Sequence, residues 1–222
     1  MPVYQALGRR EQGKTTLAYW MARQVRQRVV YDPRAIVTRS DGVGRVDRAG
    51  ELPAAFEALA ADRVSELVFT PGVEEERDFA IFVREVLAWP RHRPVAIVFD
   101  ESGIIPLESK LFRQLLRTSP KPMSLIFTAH RPVDMPVLVR SLTDRWCVFQ
   151  TKEPRDLVVL SERCSERMAT VVQTLQAREF ATWDDRGPNG TLRVHRDPDV
   201  WYMALDAVPA SDPPLLQFRS VA

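Results

Sequence analysis

Residues Gly8-Arg9-Arg10-Glu11-Gln12-Gly13-Lys14-Thr15 follow the spacing G-x-x-x-x-G-K-[ST] at every fixed position, which is the spacing of a phosphate-binding loop. Glycines at the two ends let the chain turn so that successive backbone N–H groups face an anion. A helix opening directly after the loop adds the positive end of its dipole. In such a loop Lys14 reaches the β- and γ-phosphates of a nucleoside triphosphate and Thr15 holds Mg2+. The cradle runs through Gly8, Arg9, Arg10, Glu11, Gln12, Gly13, Lys14, Thr15 and Thr16. A fortuitous glycine-rich turn is the bland alternative. The flanks weigh against it, because Val3–Leu7 reads as a short strand and Thr15–Arg26 as a helix.

A second cluster lies far along the chain. Val95-Ala96-Ile97-Val98-Phe99-Asp100-Glu101 is an apolar strand that delivers two carboxylates at its C-terminal end, where doubly wound sheets bind their ligands. Asp100 is suited to a magnesium site shared with Thr15, and Glu101 to orienting or deprotonating an attacking water. Phosphoryl transfer needs both tasks, since it is mainly positioning and charge neutralisation. Taken alone, an acid pair ending a strand is more often a surface or capping feature; the upstream loop changes that balance. The next apolar stretch ends in Phe127-Thr128-Ala129-His130-Arg131-Pro132. Parallel strand tips lie about 4.8 Å apart, so Thr128 or His130 is expected near the γ-phosphate, with His130 sensing it or fixing the water. A loop-capping histidine is the other reading.

An arginine from a neighbouring subunit often completes such sites. Arg113 and Arg117 are four residues apart on the helix between the acid pair and the next strand, hence on one face. That face reaches a neighbour's site or is simply solvated; Arg140 and Arg145 are weaker candidates. Three scattered histidines and the distant Cys147 and Cys164 have neither zinc spacing nor that of a disulfide framework. Both cysteines read as small buried hydrophobes.

These groups must be positioned by alternating strands and helices. Strands are expected at Val3–Leu7, Val29–Tyr31 with Ala35–Thr38 nearby, Val64–Phe69, Val95–Phe99, Ser124–Thr128 and Trp146–Gln150. Helices are expected at Thr15–Arg26, Glu51–Ala61, Glu74–Trp89, Leu107–Arg117, Met135–Leu142 and Glu162–Leu175. Strands that are apolar without alternation belong to a sheet covered on both faces, and their separation by helices predicts a mostly parallel α/β sheet. Arg39–Gly50 reads as a polar, glycine-punctuated loop. Asp184–Gly190 reads as a turn between strands near Trp183 and Leu192. A single domain over 1–208 with a short C-terminal elaboration is expected, followed by an extended tail over 209–222.

The 222 residues are 45% apolar and 27% charged, the composition of an ordinary globular protein. No run of eighteen apolar residues predicts a membrane span. The amino end enters the first strand almost at once, leaving no room for a signal peptide, and the cytoplasm is the expected compartment. The net charge of +2 selects no partner. Its layout is more informative: residues 1–50 carry a local arginine excess that can face phosphates or be solvated.

The stretches GRREQGKT at 8–15, VAIVFDE at 95–101 and SLIFTAHRPVDMP at 124–136, in that order, resemble the FtsK/HerA superfamily of P-loop ATPases. The closer likeness is to the genome-packaging ATPases of double-stranded DNA viruses with internal membranes, and it covers roughly residues 1–150. His130 stands where the family has a sensor glutamine, and the family's trans-acting arginine falls near Leu111–Arg117. The resemblance implies an α/β fold of the P-loop NTPase (RecA/ASCE-like) kind, with a mostly parallel central sheet flanked by helices. It also implies ATP and Mg2+ as cofactors, a hexameric ring, and double-stranded DNA in the channel. Capsid vertex or portal proteins would be partners, and the host cytoplasm and the virion the locations. Arg39, Arg45 and Arg48 are candidates for touching the DNA backbone. Other readings are a phage morphogenesis or export ATPase, or a non-hydrolysing nucleotide-dependent scaffold. An adenylate-type kinase would need a lid that the sequence does not offer.

Overall fold

The computed structural model describes residues 1–36, 43–72, 75–90, 93–118, 122–186 and 190–196. The strands are β1 (Val3–Leu7), β2 (Arg28–Tyr31), β3 (Val43–Val46), β4 (Glu66–Phe69), β5 (Val95–Phe99), β6 (Met123–Ala129), β7 (Arg145–Phe149), β8 (Phe180–Asp184) and β9 (Thr191–His195). The helices are α1 (Lys14–Arg23), α2 (Leu52–Ala60), α3 (Glu75–Ala88), α4 (Lys110–Thr118), α5 (Val137–Ser141), α6 (Pro154–Arg163) and α7 (Glu166–Thr174). Among the described residues the nine strands form one sheet in the order β3-β4-β2-β5-β6-β1-β7-β8-β9. Every pairing from β3 to β7 is parallel, and β8 and β9 add an antiparallel hairpin at one edge.

The period-two alternation of strand side chains divides the core into two layers. Leu17, Ala18, Met21 and Ala22 of α1 pack on Tyr4, Ala6, Val30, Ala96, Val98, Ile126 and Cys147. The small residues Ala6, Ala18, Ala22 and Ala96 bring α1, and the loop it carries, close to the strands. On the opposite face α2, α3, α4, α6 and α7 cover the alternate residues, including Val29, Tyr31, Ile97, Phe99, Leu125, Phe127 and Trp146. Large aromatic rings fill this layer. Phe99 and Phe127 stack at 5.1 Å, and Phe112 of α4 meets both edge-on at 5.4 and 6.0 Å. Those contacts lock β5 and β6 in register, with Phe99 opposite Phe127.

Several elements differ from the sequence expectation. The expected loop at Arg39–Gly50 contains β3, whose Val46 is buried and whose backbone pairs with β4. Context decides here, because a four-residue V-G-R-V segment becomes a strand once a sheet edge and a pocket for one valine are on offer. The helix expected at Glu162–Leu175 is α7, which starts four residues later because Ser165 caps it, its Oγ accepting from the Met168 N–H at 3.1 Å. Helix α6, which runs from Pro154 to Arg163, is not among the expected helices, although its proline fits a first turn. Helix α5 is shorter than the expected Met135–Leu142. Ala35 and Ile36 are not in a strand, and 37–38 lie outside the described residues. The hairpin expected around Trp183 and Leu192 is β8–β9. Cys147 is buried and Cys164 partly so. Among the described residues no helix is long and apolar enough to cross a membrane. Arg39, the domain end at 208 and the tail 209–222 lie outside the described residues.

Candidate active site

The loop between β1 and α1 is anchored at both ends. The Gly8 N–H donates to the Ala129 carbonyl of β6 at 3.1 Å. A β-carbon on Gly8 would stand 2.4 Å from Gln12 Oε1 and 2.6 Å from the Phe149 β-carbon, so no side chain fits there. Gly13 has φ 99°, a left-handed conformation that glycine adopts freely. The Gln12 side chain staples the loop by accepting from the Arg9 N–H at 2.7 Å and donating to the Gln150 carbonyl at 3.4 Å. Arg10 and Glu11 are exposed, and Arg9 pairs with Glu153 at 3.2 Å. Thr16 follows in the first turn of α1.

The carboxylates lie one strand farther away than adjacency would require. β6 separates β1 from β5, yet α1 spans the gap, and Thr15 Oγ1 donates to Asp100 at 3.1 Å. The intervening strand contributes Thr128. Its hydroxyl donates to Asp100 Oδ1 at 2.5 Å and accepts from the Glu101 N–H at 2.9 Å. Glu101 itself sits at φ 51°, ψ 47°, a left-handed conformation that disfavours a side chain by roughly 1–2 kcal/mol. The Thr128 bond holds it there. Strain of this kind collects at functional sites.

His130 closes the group. Its Nδ1 is 3.4 Å from Lys14 Nζ, and its Nε2 is 2.9 Å from Glu101 Oε2, a close contact off hydrogen-bond alignment. An ammonium has no lone pair, so in a hydrogen bond with Lys14 the Nδ1 atom is the acceptor. Lys14 Nζ also donates to the Arg9 carbonyl at 2.8 Å and has no ion pair among the described residues.

Charge balance at this corner is incomplete in a specific way. Burial pushes the Lys14 ammonium below the usual lysine range, with Glu101 and Asp100 opposing and Arg10 adding to the shift. Burial likewise pushes the Asp100 carboxyl up, opposed by the Thr128 and Thr15 hydroxyls and reinforced by Asp32 and Glu101. Among the described residues neither the Lys14 ammonium nor the Asp100 carboxylate has an ion pair, although each is largely buried and Asp100 bonds Thr15, the residue after Lys14. A phosphate group together with a divalent cation satisfies both, so the residues fit the Mg2+ triphosphate that the loop spacing implies. Thr15 and Asp100 would hold the metal.

A cleft of about 340 Å³ lies over the loop. Arg9, Arg10, Arg34, His130 and Arg131 line one side; the connection from β7 into α6 supplies Thr151, Glu153 and Asp156. Lys14, Thr15, Asp100, Glu101 and His130 are thus gathered at the tips of three neighbouring strands. Arg113 and Arg117 are not. They are exposed on α4, on the far layer from α1, and do not line the cleft. Arg45 is exposed on edge strand β3, with Nη2 3.3 Å from Thr70 Oγ1. The sequence reading counted Arg34 only within the arginine excess of residues 1–50, quoted Arg131 only as part of the Thr128–Pro132 stretch, and passed over the Thr151–Asp156 segment. One signal was present, since Glu153-Pro154-Arg155-Asp156 has the proline and acidic residue of a helix start.

Thr128→Val keeps the side-chain shape while removing the hydroxyl. It leaves the Glu101 N–H and a buried Asp100 oxygen without that partner. A loss of about 1–3 kcal/mol of stability is expected, read as a lowered denaturant midpoint, with Thr128→Ser close to wild type. A midpoint unmoved in Thr128→Val would show that the hydroxyl bridges nothing of consequence.

No family model matches this chain, and no curated protein matches it. Solved structures do. The genome packaging NTPase of Sulfolobus turreted icosahedral virus 2 in complex with sulfate superposes with a TM-score of 0.68 at 17% identity, covering 87% of this chain and 94% of that one. Its complex with ATP-gammaS gives 0.68 at 16%, covering 87% and 96%. The DNA-packaging ATPase of Sulfolobus turreted icosahedral virus gives 0.63 at 17%, with the same two shares. At such identities the likeness establishes the fold, an α/β P-loop NTPase architecture with a mostly parallel sheet between helices. The matched 87% also extends past residues 1–150, where the sequence motifs lie.

Proposed function

We propose that this chain is an ATPase motor of the FtsK/HerA kind that translocates double-stranded viral DNA into a preformed capsid. The observation that carries the ATPase reading is the arrangement at the three strand tips. Thr15, Asp100 and Thr128 are joined by hydrogen bonds, and Lys14, His130 and Glu101 stand in contact beside them. The DNA part is supported by the packaging proteins that share the fold.

The backbone of Gly8–Thr16 cradles the phosphates, and Lys14 moves from the Arg9 carbonyl to the β- and γ-phosphate oxygens. Thr15 and Asp100 would hold Mg2+, which would supply positive charge to neutralise those oxygens. Glu101 orients a water and takes its proton. The water oxygen bonds to the γ-phosphorus while the bond from that phosphorus to the bridging oxygen breaks, giving ADP and inorganic phosphate. His130 spans Lys14 and Glu101, so one ring touches both the phosphate-binding cation and the base. In a hexameric ring Arg113 or Arg117 of one subunit, exposed on α4, reaches the site of the next. Arg45 and Arg48, together with Arg39, contact the DNA backbone without reading sequence. The ATPase domain spans 1–208 with its tail at 209–222, and the motor works in the host cytoplasm at the capsid vertex, against portal proteins.

The test is ATP turnover with and without long duplex DNA, on fractions separated by oligomer size. Stimulation by duplex in the large fraction is expected, and it should weaken as salt rises because phosphate contacts release counterions. Turnover indifferent to duplex would remove the DNA reading and favour an export motor. Nucleotide binding without turnover in any fraction would leave a scaffold.

A further inference from the structure

The cleft over the phosphate loop contains an arginine, Arg131, that a buried carboxylate holds through its inner nitrogen. Arg131 Nε donates to Asp156 Oδ2 at 3.2 Å, and Asp156 is 1% exposed on the first turn of α6. The same Oδ2 accepts from Thr151 Oγ1 at 3.2 Å. The two terminal nitrogens of Arg131 have no hydrogen bond or ion pair among the described residues, and the residue lines the cleft. A buried carboxylate thus holds the guanidinium by its inner nitrogen and leaves the outer fork facing the cavity. Such a fork matches two oxygens of a phosphate group.

Its place in the cleft indicates which phosphate. Arg131 lines the same cleft as His130, whose ring contacts Lys14 and Glu101, the groups around a terminal phosphoryl group. Stability alone accounts poorly for the pair. Its arginine partner is 38% exposed, and burying the Asp156 carboxylate costs desolvation that so open a partner repays badly. Asp156 Oδ1 has no hydrogen-bond partner among the described residues.

We propose that Arg131 is a phosphate-contacting arginine supplied by the same subunit, which binds the γ-phosphate of the nucleoside triphosphate, with Asp156 and Thr151 as positioning residues. This rests on the nucleotide-site reading above. The site then distinguishes triphosphate from diphosphate within one chain, before any neighbour contributes. Arg131 stabilises charge that builds on the γ-phosphoryl oxygens during hydrolysis, and Asp156 keeps its fork from turning to solvent.

The test compares ATPγS and ADP affinities, with Mg2+, for the full chain and for Arg131→Ala, Arg131→Lys and Asp156→Asn, each checked to melt as the wild type does. Arg131→Ala is expected to lose about tenfold to hundredfold in ATPγS affinity, the range for a charge-assisted contact, while ADP affinity holds. Arg131→Lys should recover part of the loss as a point charge without the fork. Asp156→Asn should shift the ATPγS-to-ADP ratio the same way by less. Guanidinium added to Arg131→Ala should restore some turnover. Equal losses for both nucleotides, or a ratio unchanged in Arg131→Ala, would overturn the assignment. A wild type that binds neither nucleotide would instead overturn the nucleotide site itself.

Discussion

Replacing Glu101 by glutamine is expected to cut ATP turnover by about 10²–10⁴-fold, the usual contribution of a positioned general base, while nucleotide affinity stays within about threefold. The substitution is nearly isosteric. The left-handed backbone at this position and the bond from its N–H to Thr128 Oγ1 do not depend on the side-chain charge. The contact of Oε2 with His130 Nε2 also has a counterpart in an amide oxygen. What disappears is the capacity to take a proton from water. Steady-state turnover and equilibrium binding of a fluorescent ATP analogue separate the two quantities. A variant turning over at the wild-type rate would place the base elsewhere, whereas a collapse of both would mean that the charge at 101 organises the phosphate site.

Lys14→Ala is expected to abolish nucleotide binding at concentrations that saturate the wild type, and the geometry adds a second expectation. Lys14 is 6% exposed, and among the described residues its ammonium has hydrogen-bond contacts with the Arg9 carbonyl and the His130 ring but no ion pair. A buried cation so placed opposes folding until an anion arrives. Its pKa in the folded state is lowered. The folded form therefore gains stability above the ordinary lysine pKa and loses it as pH falls through that range, so at neutral pH the charge is a net cost. Lys14→Met, which keeps the aliphatic stem, should accordingly melt at or above the wild-type temperature without nucleotide while failing to bind it. Calorimetric melting and nucleotide titration on one preparation check both halves. Wild-type affinity in Lys14→Ala would end the phosphate-loop reading. A large fall in the Lys14→Met melting temperature would show that the ammonium has a partner the charge argument omits.

Both expectations draw on features carried by short stretches of chain. The glycine spacing at 8–15, the apolar run before Asp100 and the run before Thr128 each express a local constraint, such as a tight turn, a doubly covered strand or a strand tip. Local constraints of this kind are written in residue type and spacing, so the amino-acid sequence by itself determined the α/β class, the loop, the acid pair and His130. It did not determine how they meet. β1, β2, β5 and β6 are apolar strands of similar composition, and nothing in their periodicity says that β6 lies between β1 and β5. That order makes Thr128 the link between the Asp100 carboxylate and the Glu101 backbone N–H. It also left the Arg131–Asp156 pair unread, because those residues lie 25 positions apart and meet only once α6 has packed beside the turn at 132–134. The same holds for β3, a strand only because β4 offers an edge, and for the start of α7, which the Ser165 cap sets four residues after Glu162. Tertiary structure decided these points because strand order, register and helix docking depend on contacts between distant segments, and a pattern of a few consecutive residues holds no record of its partner.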